Sequence, residues 1–212
     1  LKPLNLHYMP TLAGDVQAVL ADEKVLFANQ EVAFVVAEDR YIAADAVELV
    51  EVEYEPLVAL VDPFKAMAPD APVLREDIKD KLQGAHGKRK HPYHIFEWTV
   101  GDKAETDRVF AGAPVTVKEL ISYQRVHPAP LETCACVASM DKVRGELTVW
   151  GTFQAPHVVR TVAAILSGIP EHKIRVISPD IGGGFGNKVG VYPGYVCSIV
   201  ASIVLGVPVK WV

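Results

Sequence analysis

Lys173-Ile174-Arg175-Val176-Ile177-Ser178-Pro179-Asp180-Ile181-Gly182-Gly183-Gly184-Phe185-Gly186-Asn187-Lys188 passes from an apolar run into a loop with four glycines in five residues. The run from Lys173 to Ser178 suits a strand, Gly182 to Gly190 reads as a glycine-rich loop, and Tyr195 to Leu205 suits a buried helix. Glycines at a strand-to-helix junction admit positive φ and bring bare backbone N–H groups close to a ligand. Successive amides at such a junction, aided by the helix dipole, make a site for an oxyanion or phosphate. The familiar nucleotide loops do not fit. A Walker loop from Gly182 needs its second glycine where Asn187 stands, and in the dinucleotide fingerprint the third glycine arrives one residue early, at Gly186. About twenty residues further on, that fingerprint wants an acid and finds Gly206. Four glycines can equally be a tight turn and nothing more. Phe185 favours a site, because a large apolar side chain in an otherwise bare loop supplies a wall.

Upstream lies a second junction. Cys134 to Met140 and Glu146 to Phe153 read as a hairpin around Asp141-Lys142-Val143-Arg144-Gly145. Pro156 then opens a helix at a position where its missing N–H costs nothing. Val158, Val159, Val162, Ala163 and Leu166 give that helix an apolar face, and Gly168 and Pro170 end it. Gln154 therefore sits between strand and helix. If its strand runs parallel to the one at 173–178, both junctions open on the same sheet edge, where ligands of open α/β sheets bind. A lone glutamine reads as a surface or capping residue. Facing a cradle of backbone amides, it becomes a preorganised donor for developing negative charge.

The amino-terminal part is less regular. Glu31 to Ala37 suits a short buried strand, Asp39 can cap a helix carrying Ala43, Ala46 and Val47, and Val50-Val52-Tyr54 alternates with Glu51-Glu53-Glu55 as a half-exposed strand. Residues 56 to 92 form a long excursion rich in turn residues. Ile95 to Val100 suggests a strand, Asp102 to Ala111 a helix and Val115 to Val126 another strand. His127-Pro128-Ala129-Pro130 marks a boundary, since two prolines in four residues resist both helix and ladder. The fold class is thus α+β, with two small β-α-β-like units up to residue 126 and a cleaner mixed α/β segment from 127 to 212.

Composition excludes several functions. A net charge of −5 over 212 residues leaves no basic stripe for nucleic acid, and Lys88-Arg89-Lys90-His91 reads as a solvated loop. Cys134, Cys136 and Cys197 are too few for a disulfide framework and suit a reducing compartment. The Cys134-x-Cys136 pair reads as buried strand cysteines, and His86, His91 and His94 lack the companions of a zinc site. The uncharged stretch Val189 to Val209 is broken by Pro193-Gly194 and Gly206-Val207-Pro208, short of the ~20 residues a membrane span needs. Lys188 reads as either a contact to a cofactor phosphate or a solvated side chain, and Glu132 as a structural ion pair or part of the site. Leu1 is no initiator methionine and the chain stops within an apparent strand, so an internal piece of a longer protein is expected.

Phe153-Gln154-Ala155-Pro156, followed about 28 residues later by Gly182-Gly183-Gly184-Phe185-Gly186, resembles the xanthine oxidase family of molybdenum hydroxylases. His127-Pro128-Ala129-Pro130-Leu131-Glu132-Thr133 looks like that family's entry into its cofactor-binding region, with Thr133 where many members have proline. Val25 to Leu60 is similar to its α/β hammerhead domain. Asn29-Gln30-Glu31-Val32-Ala33 and Val137-Ala138-Ser139-Met140 look most like the large chain of the family's CO-oxidising branch. The resemblance implies a hammerhead-like α/β domain over 1–126 and the truncated start of a mixed α/β molybdopterin-binding domain over 127–212. It implies a molybdopterin cytosine dinucleotide carrying molybdenum. Gln154 would hydrogen-bond an oxygen ligand of the metal or the pterin beside it, and Gly183, Gly184, Phe185 and Gly186 would shape the cradle. It further implies oxidation of CO with water, an FAD-binding medium subunit, a 2Fe-2S small subunit and a second copy of the large subunit. The expected place is the cytoplasm, with partners able to hold the enzyme at the inner face of the membrane. Copper belongs to this expectation too, with its cysteine ligand and the catalytic glutamate beyond Val212. The alternatives are an aldehyde or N-heteroaromatic hydroxylase of the same family, or a non-catalytic cofactor-binding module.

Overall fold

The computed structural model describes residues 7–8, 17–76, 83–84, 87–88, 93 and 99–212. In chain order the elements are β1 (His7–Tyr8), β2 (Gln17–Ala18), α1 (Arg40–Glu48), α2 (Pro63–Ala66), β3 (Gln83–Gly84), β4 (Gly87–Lys88), α3 (Lys103–Gly112), β5 (Cys136–Asp141), β6 (Glu146–Gly151), α4 (Pro156–Ser167), β7 (Ile174–Ile177), α5 (Pro193–Leu205) and β8 (Val209–Trp211). The main sheet has the order β7-β6-β5-β8. β5 and β6 form the expected antiparallel hairpin, and β6 runs parallel to β7 with Val149 opposite Val176. The parallel pairing on which the two-junction reading depended is present.

Alternation builds the core. Cys136 and Ala138 of β5, Leu147 and Val149 of β6, Ile174 of β7 and Val209 of β8 all point to one buried face. Val159, Val162 and Ala163 of α4 cover it, together with Tyr195, Val196 and Ile199 of α5. Both helices open on proline and end on a left-handed glycine, Gly168 and Gly206. Tyr195 is fully buried, with Phe153, Tyr192 and Trp211 edge-on around it. Ser202, also fully buried, fastens the end of α5 to the sheet, donating to the Val207 carbonyl at 2.8 Å and accepting from the Met140 N–H at 3.0 Å. Ser202→Ala leaves that N–H without its partner and is expected to cost ~1–3 kcal/mol in urea unfolding, with the slope unchanged.

The amino-terminal half departs from expectation. The two helices expected here do form: Asp39 caps the first as read, accepting from Tyr41 and Ile42, and Asp102, read as the first residue of the second, is its cap and accepts from Glu105. The strands expected at 31–37, 50–55 and 115–126 do not form, and these segments run without a ladder among the described residues. Their apolar residues are of strand type, but a strand exists only with a neighbour to take its hydrogen bonds. Val115, Val117, Leu120, Ile121, Tyr123 and Val126 are exposed instead. Phe34 does pack against the core, so the 31–37 segment is partly buried without being a strand. Of the strand expected at 95–100, residues 95–98 lie outside the described residues and 99–100 carry no strand. His86, His91, His94 and most of the Lys88–His91 run also lie outside them.

Candidate functional site

The site forms where β6 and β7 end side by side. Ser178, just past β7, donates its hydroxyl to the Phe153 carbonyl at 2.7 Å and accepts the Phe153 N–H at 3.3 Å. This bond fixes the two chain exits against each other. Phe153 is buried with its ring edge-on to Tyr195 at 5.0 Å, so the backbone beside Gln154 rests on the core.

Gln154 crosses onto the glycine loop and meets Lys188. Its N–H donates to the Lys188 carbonyl at 2.9 Å, and its Oε1 accepts the Lys188 N–H at 3.0 Å. A backbone N–H can be satisfied only by an acceptor, so this bond orients the amide with Oε1 inward and the Nε2 donor outward. The side chain lies over Gly184. A Cβ there would stand 2.3 Å from Gln154 Cδ and 2.5 Å from Oε1, so any larger residue must displace the glutamine. Sequence positions about thirty residues apart thus meet at van der Waals contact.

Within the loop the amides divide into two groups. Gly182 donates to Glu132 Oε2 at 2.8 Å, Gly183 to the Ile181 carbonyl at 2.9 Å and Asn187 to the Gly184 carbonyl at 2.8 Å. The N–H groups of Gly184, Phe185 and Gly186 meet no acceptor among the described residues. Three successive donors without internal partners, beside an outward amide nitrogen, form a cradle for an anionic or strongly dipolar oxygen. Phe185 holds φ at +51°, a conformation uncommon for a side-chain-bearing residue, and the residue is 75 % exposed, its ring edge beside Gly183. Such a residue is kept at a cost in backbone energy, as happens where geometry matters more than stability.

Two residues left open by the sequence are resolved. Lys188 is not solvated: its side chain has no exposed surface, and Nζ lies 2.7 Å from Glu132 Oε2. The sequence carried a signal for this, since Lys188 is the only charged residue between Asp180 and Lys210. Glu132 reaches it because Thr152 anchors the preceding segment, donating its N–H to the Ala135 carbonyl and accepting the Ala135 N–H on Oγ1, each at 3.1 Å. The hydrogen bond from Lys188, with that from Gly182, holds the Glu132 carboxyl below its ordinary range. The three cysteines are free, and burial pushes the Cys136 and Cys197 thiols up to about 11, which keeps them neutral.

Free N–H donors of this kind suit an oxygen-bearing, anionic cofactor. Comparison with known proteins bears on the same segment. Residues 86–212 match the molybdopterin cofactor-binding domain, and residues 1–58 match the a/b hammerhead domain of aldehyde oxidase and xanthine dehydrogenase. Over all 212 residues the chain is 78% identical to the carbon monoxide dehydrogenase large chain of Afipia carboxidovorans and 70% identical to that of Hydrogenophaga pseudoflava. It spans 26% of the length of each. The structure of reconstituted CO dehydrogenase from Oligotropha carboxidovorans superposes on the whole chain with a TM-score of 0.94 at 78% identity, covering 26% of that chain. Aldehyde oxidoreductase from Desulfovibrio gigas superposes on 97% of it, covering 22% of that chain, with a TM-score of 0.77 at 25% identity. A cradle built from the segment that the domain model covers, on a fold shared with these enzymes, leads to one assignment: the chain belongs to the molybdopterin cofactor-binding domain family.

Proposed function

We propose that this chain is the part of a molybdenum hydroxylase large subunit that grips the cofactor, in an enzyme that oxidises carbon monoxide with water. The reaction balances as CO and H2O giving CO2, two protons and two electrons. The observation that carries the reading is the Gln154 amide lying on Gly184, beside three amides without partners. Gln154 acts through its Nε2 donor, and the N–H groups of Gly184, Phe185 and Gly186 complete the set, with Gly183 supplying the turn at φ +88°. When bound, the molybdenum centre supplies two-electron oxidation and accepts the electron pair. The chain's residues bind and orient: their dipoles are fixed before reaction, so little reorganisation is needed as charge develops. Phe185 presents its ring at the rim as one wall of the approach.

The cytosine dinucleotide form of the pterin, an FAD-binding medium subunit, a 2Fe-2S small subunit and a second copy of the large subunit belong to the same proposal. So does a cytoplasmic place at the inner face of the membrane. Among the described residues no helix is long and apolar enough to cross a membrane. The division of the chain near His127 is also part of the reading, supported by a sheet and core that draw mainly on residues after 131. Copper is a natural companion for CO chemistry, and one solved relative is a Cu,Mo-CO dehydrogenase. Cys136 and Cys197 are unsuited to it, being buried and neutral, and the half-buried Cys134 is not assigned to it either.

The test uses the full-length protein purified from a host that makes the cofactor. Molybdenum and pterin near one per large subunit, with CO oxidised faster than aldehydes or N-heteroaromatics, is the expected result. Molybdenum with the reverse preference moves the substrate to the organic class. A protein without molybdenum is a non-catalytic module, and the reading fails.

A further inference from the structure

We propose that Glu132 and Lys188 are positioning residues for the cofactor site, an ion pair that sets the distance between the Gln154 amide and the free amides of the glycine loop. The inference rests on the cofactor-site reading above. Its basis is a single atom: Glu132 Oε2 accepts the Gly182 N–H at 2.8 Å and the Lys188 ammonium at 2.7 Å. Those two donors stand at the two ends of the loop, so one carboxylate oxygen closes it across its base. Everything between them, including the Gly184, Phe185 and Gly186 amides, is held by that closure.

Lys188 also holds the other half of the site. Its N–H and carbonyl make the reciprocal pair with Gln154, at 3.0 and 2.9 Å. One residue therefore fixes the glutamine with its backbone and the loop with its side chain. Filling space does not explain a buried ammonium, because leucine or methionine would fill the same volume without loss of hydration. What the ammonium adds is a directed, charge-assisted bond to a carboxylate already fixed by Gly182. Glu132 in turn enters from a separate segment tied to Thr152, next to Phe153 and Gln154. The clamp thus runs from the end of β6, through Glu132, to Lys188 and back to Gln154.

The experiment compares full-length holoenzymes carrying Glu132→Gln and Lys188→Met. Glu132→Gln keeps an acceptor for Gly182 and removes the charge pairing, so it serves where Lys188→Met fails to fold. The readouts are molybdenum per subunit, turnover per bound molybdenum, KM and the Mo(V) electron paramagnetic resonance spectrum. A displacement near 1 Å at a reacting centre can cost ~10²-fold in rate. Turnover per molybdenum is expected to fall at least ~10-fold on that scale, with a shifted spectrum, KM changed less and molybdenum retained. Wild-type turnover per molybdenum and an unshifted spectrum, with only the melting temperature lowered, overturn the proposal and leave the pair a structural one. Lost molybdenum with wild-type turnover in the loaded fraction overturns it too. A wild-type protein without molybdenum defeats the parent reading instead. Hydrogen exchange of the 182–188 amides then tests the clamp directly, and rates unchanged by Glu132→Gln overturn it.

Discussion

Gly184→Ala in the full-length enzyme is expected to lower turnover by ~10²-fold or more while leaving a folded protein. The added Cβ would lie 2.3, 2.5 and 2.7 Å from Gln154 Cδ, Oε1 and Cγ. Those are side-chain atoms, so the clash is relieved by displacing the glutamine rather than the sheet. Displacement breaks the Lys188 N–H bond to Oε1 and carries the outward Nε2 away from the loop amides. Overpacking of this kind typically costs ~1–3 kcal/mol, small beside the catalytic loss in what it does to measured activity. Gly186→Ala is the contrast. It meets no atom within 4 Å, and its penalty is backbone strain at φ +85°. Steady-state rates per bound molybdenum for the two variants check the claim. Equal losses in both would place the defect in the loop backbone and not in the glutamine.

Gln154→Glu should fall by a comparable ~10²–10³ in kcat, because it replaces the outward donor with an acceptor. Its special value is that the inward carboxylate oxygen still takes the Lys188 N–H, so stability should hold within ~1 kcal/mol of wild type. Gln154→Ala should lose a similar factor in rate and also some stability, since the N–H of a buried residue loses its acceptor, at ~1–3 kcal/mol. Activity lost without stability in one variant, and both lost in the other, separates the two ends of one amide. Parallel losses of rate and stability in Gln154→Glu would make the residue a structural cap.

What the sequence made legible was local. Proline at the first turn and glycine past the last marked α4, the apolar run 195–205 marked α5, and the carboxylate cap at Asp39 marked α1. Alternation fixed the β5–β6 hairpin. The junction motif pointed to Gln154 and the glycine loop, because strand ends and bare amides carry their own chemical signature. The failures share one cause. Segments 31–37, 50–55 and 115–126 have strand composition, but pairing is a property of a neighbour, and no period reveals whether one exists. The Glu132–Lys188 pair, 56 residues apart, escaped for the same reason. A charge isolated in an apolar stretch hinted that Lys188 was buried, yet its partner could be found only in three dimensions.

The exposed apolar residues of 115–126 show how that limit affects the fold. Read alone, Val115-x-Val117 and Ile121-x-Tyr123 alternate as a strand does. In the structure both pairs are exposed, so alternation there reports a surface that ladders with nothing among the described residues.

The most direct measurement is a crystal structure of the full-length protein with its cofactor bound. Gln154 Nε2 and the N–H groups of Gly184, Phe185 and Gly186 should converge on the cofactor, with donor–acceptor distances of ~2.7–3.2 Å. A cofactor seated elsewhere, with those four donors facing only water, would contradict the account.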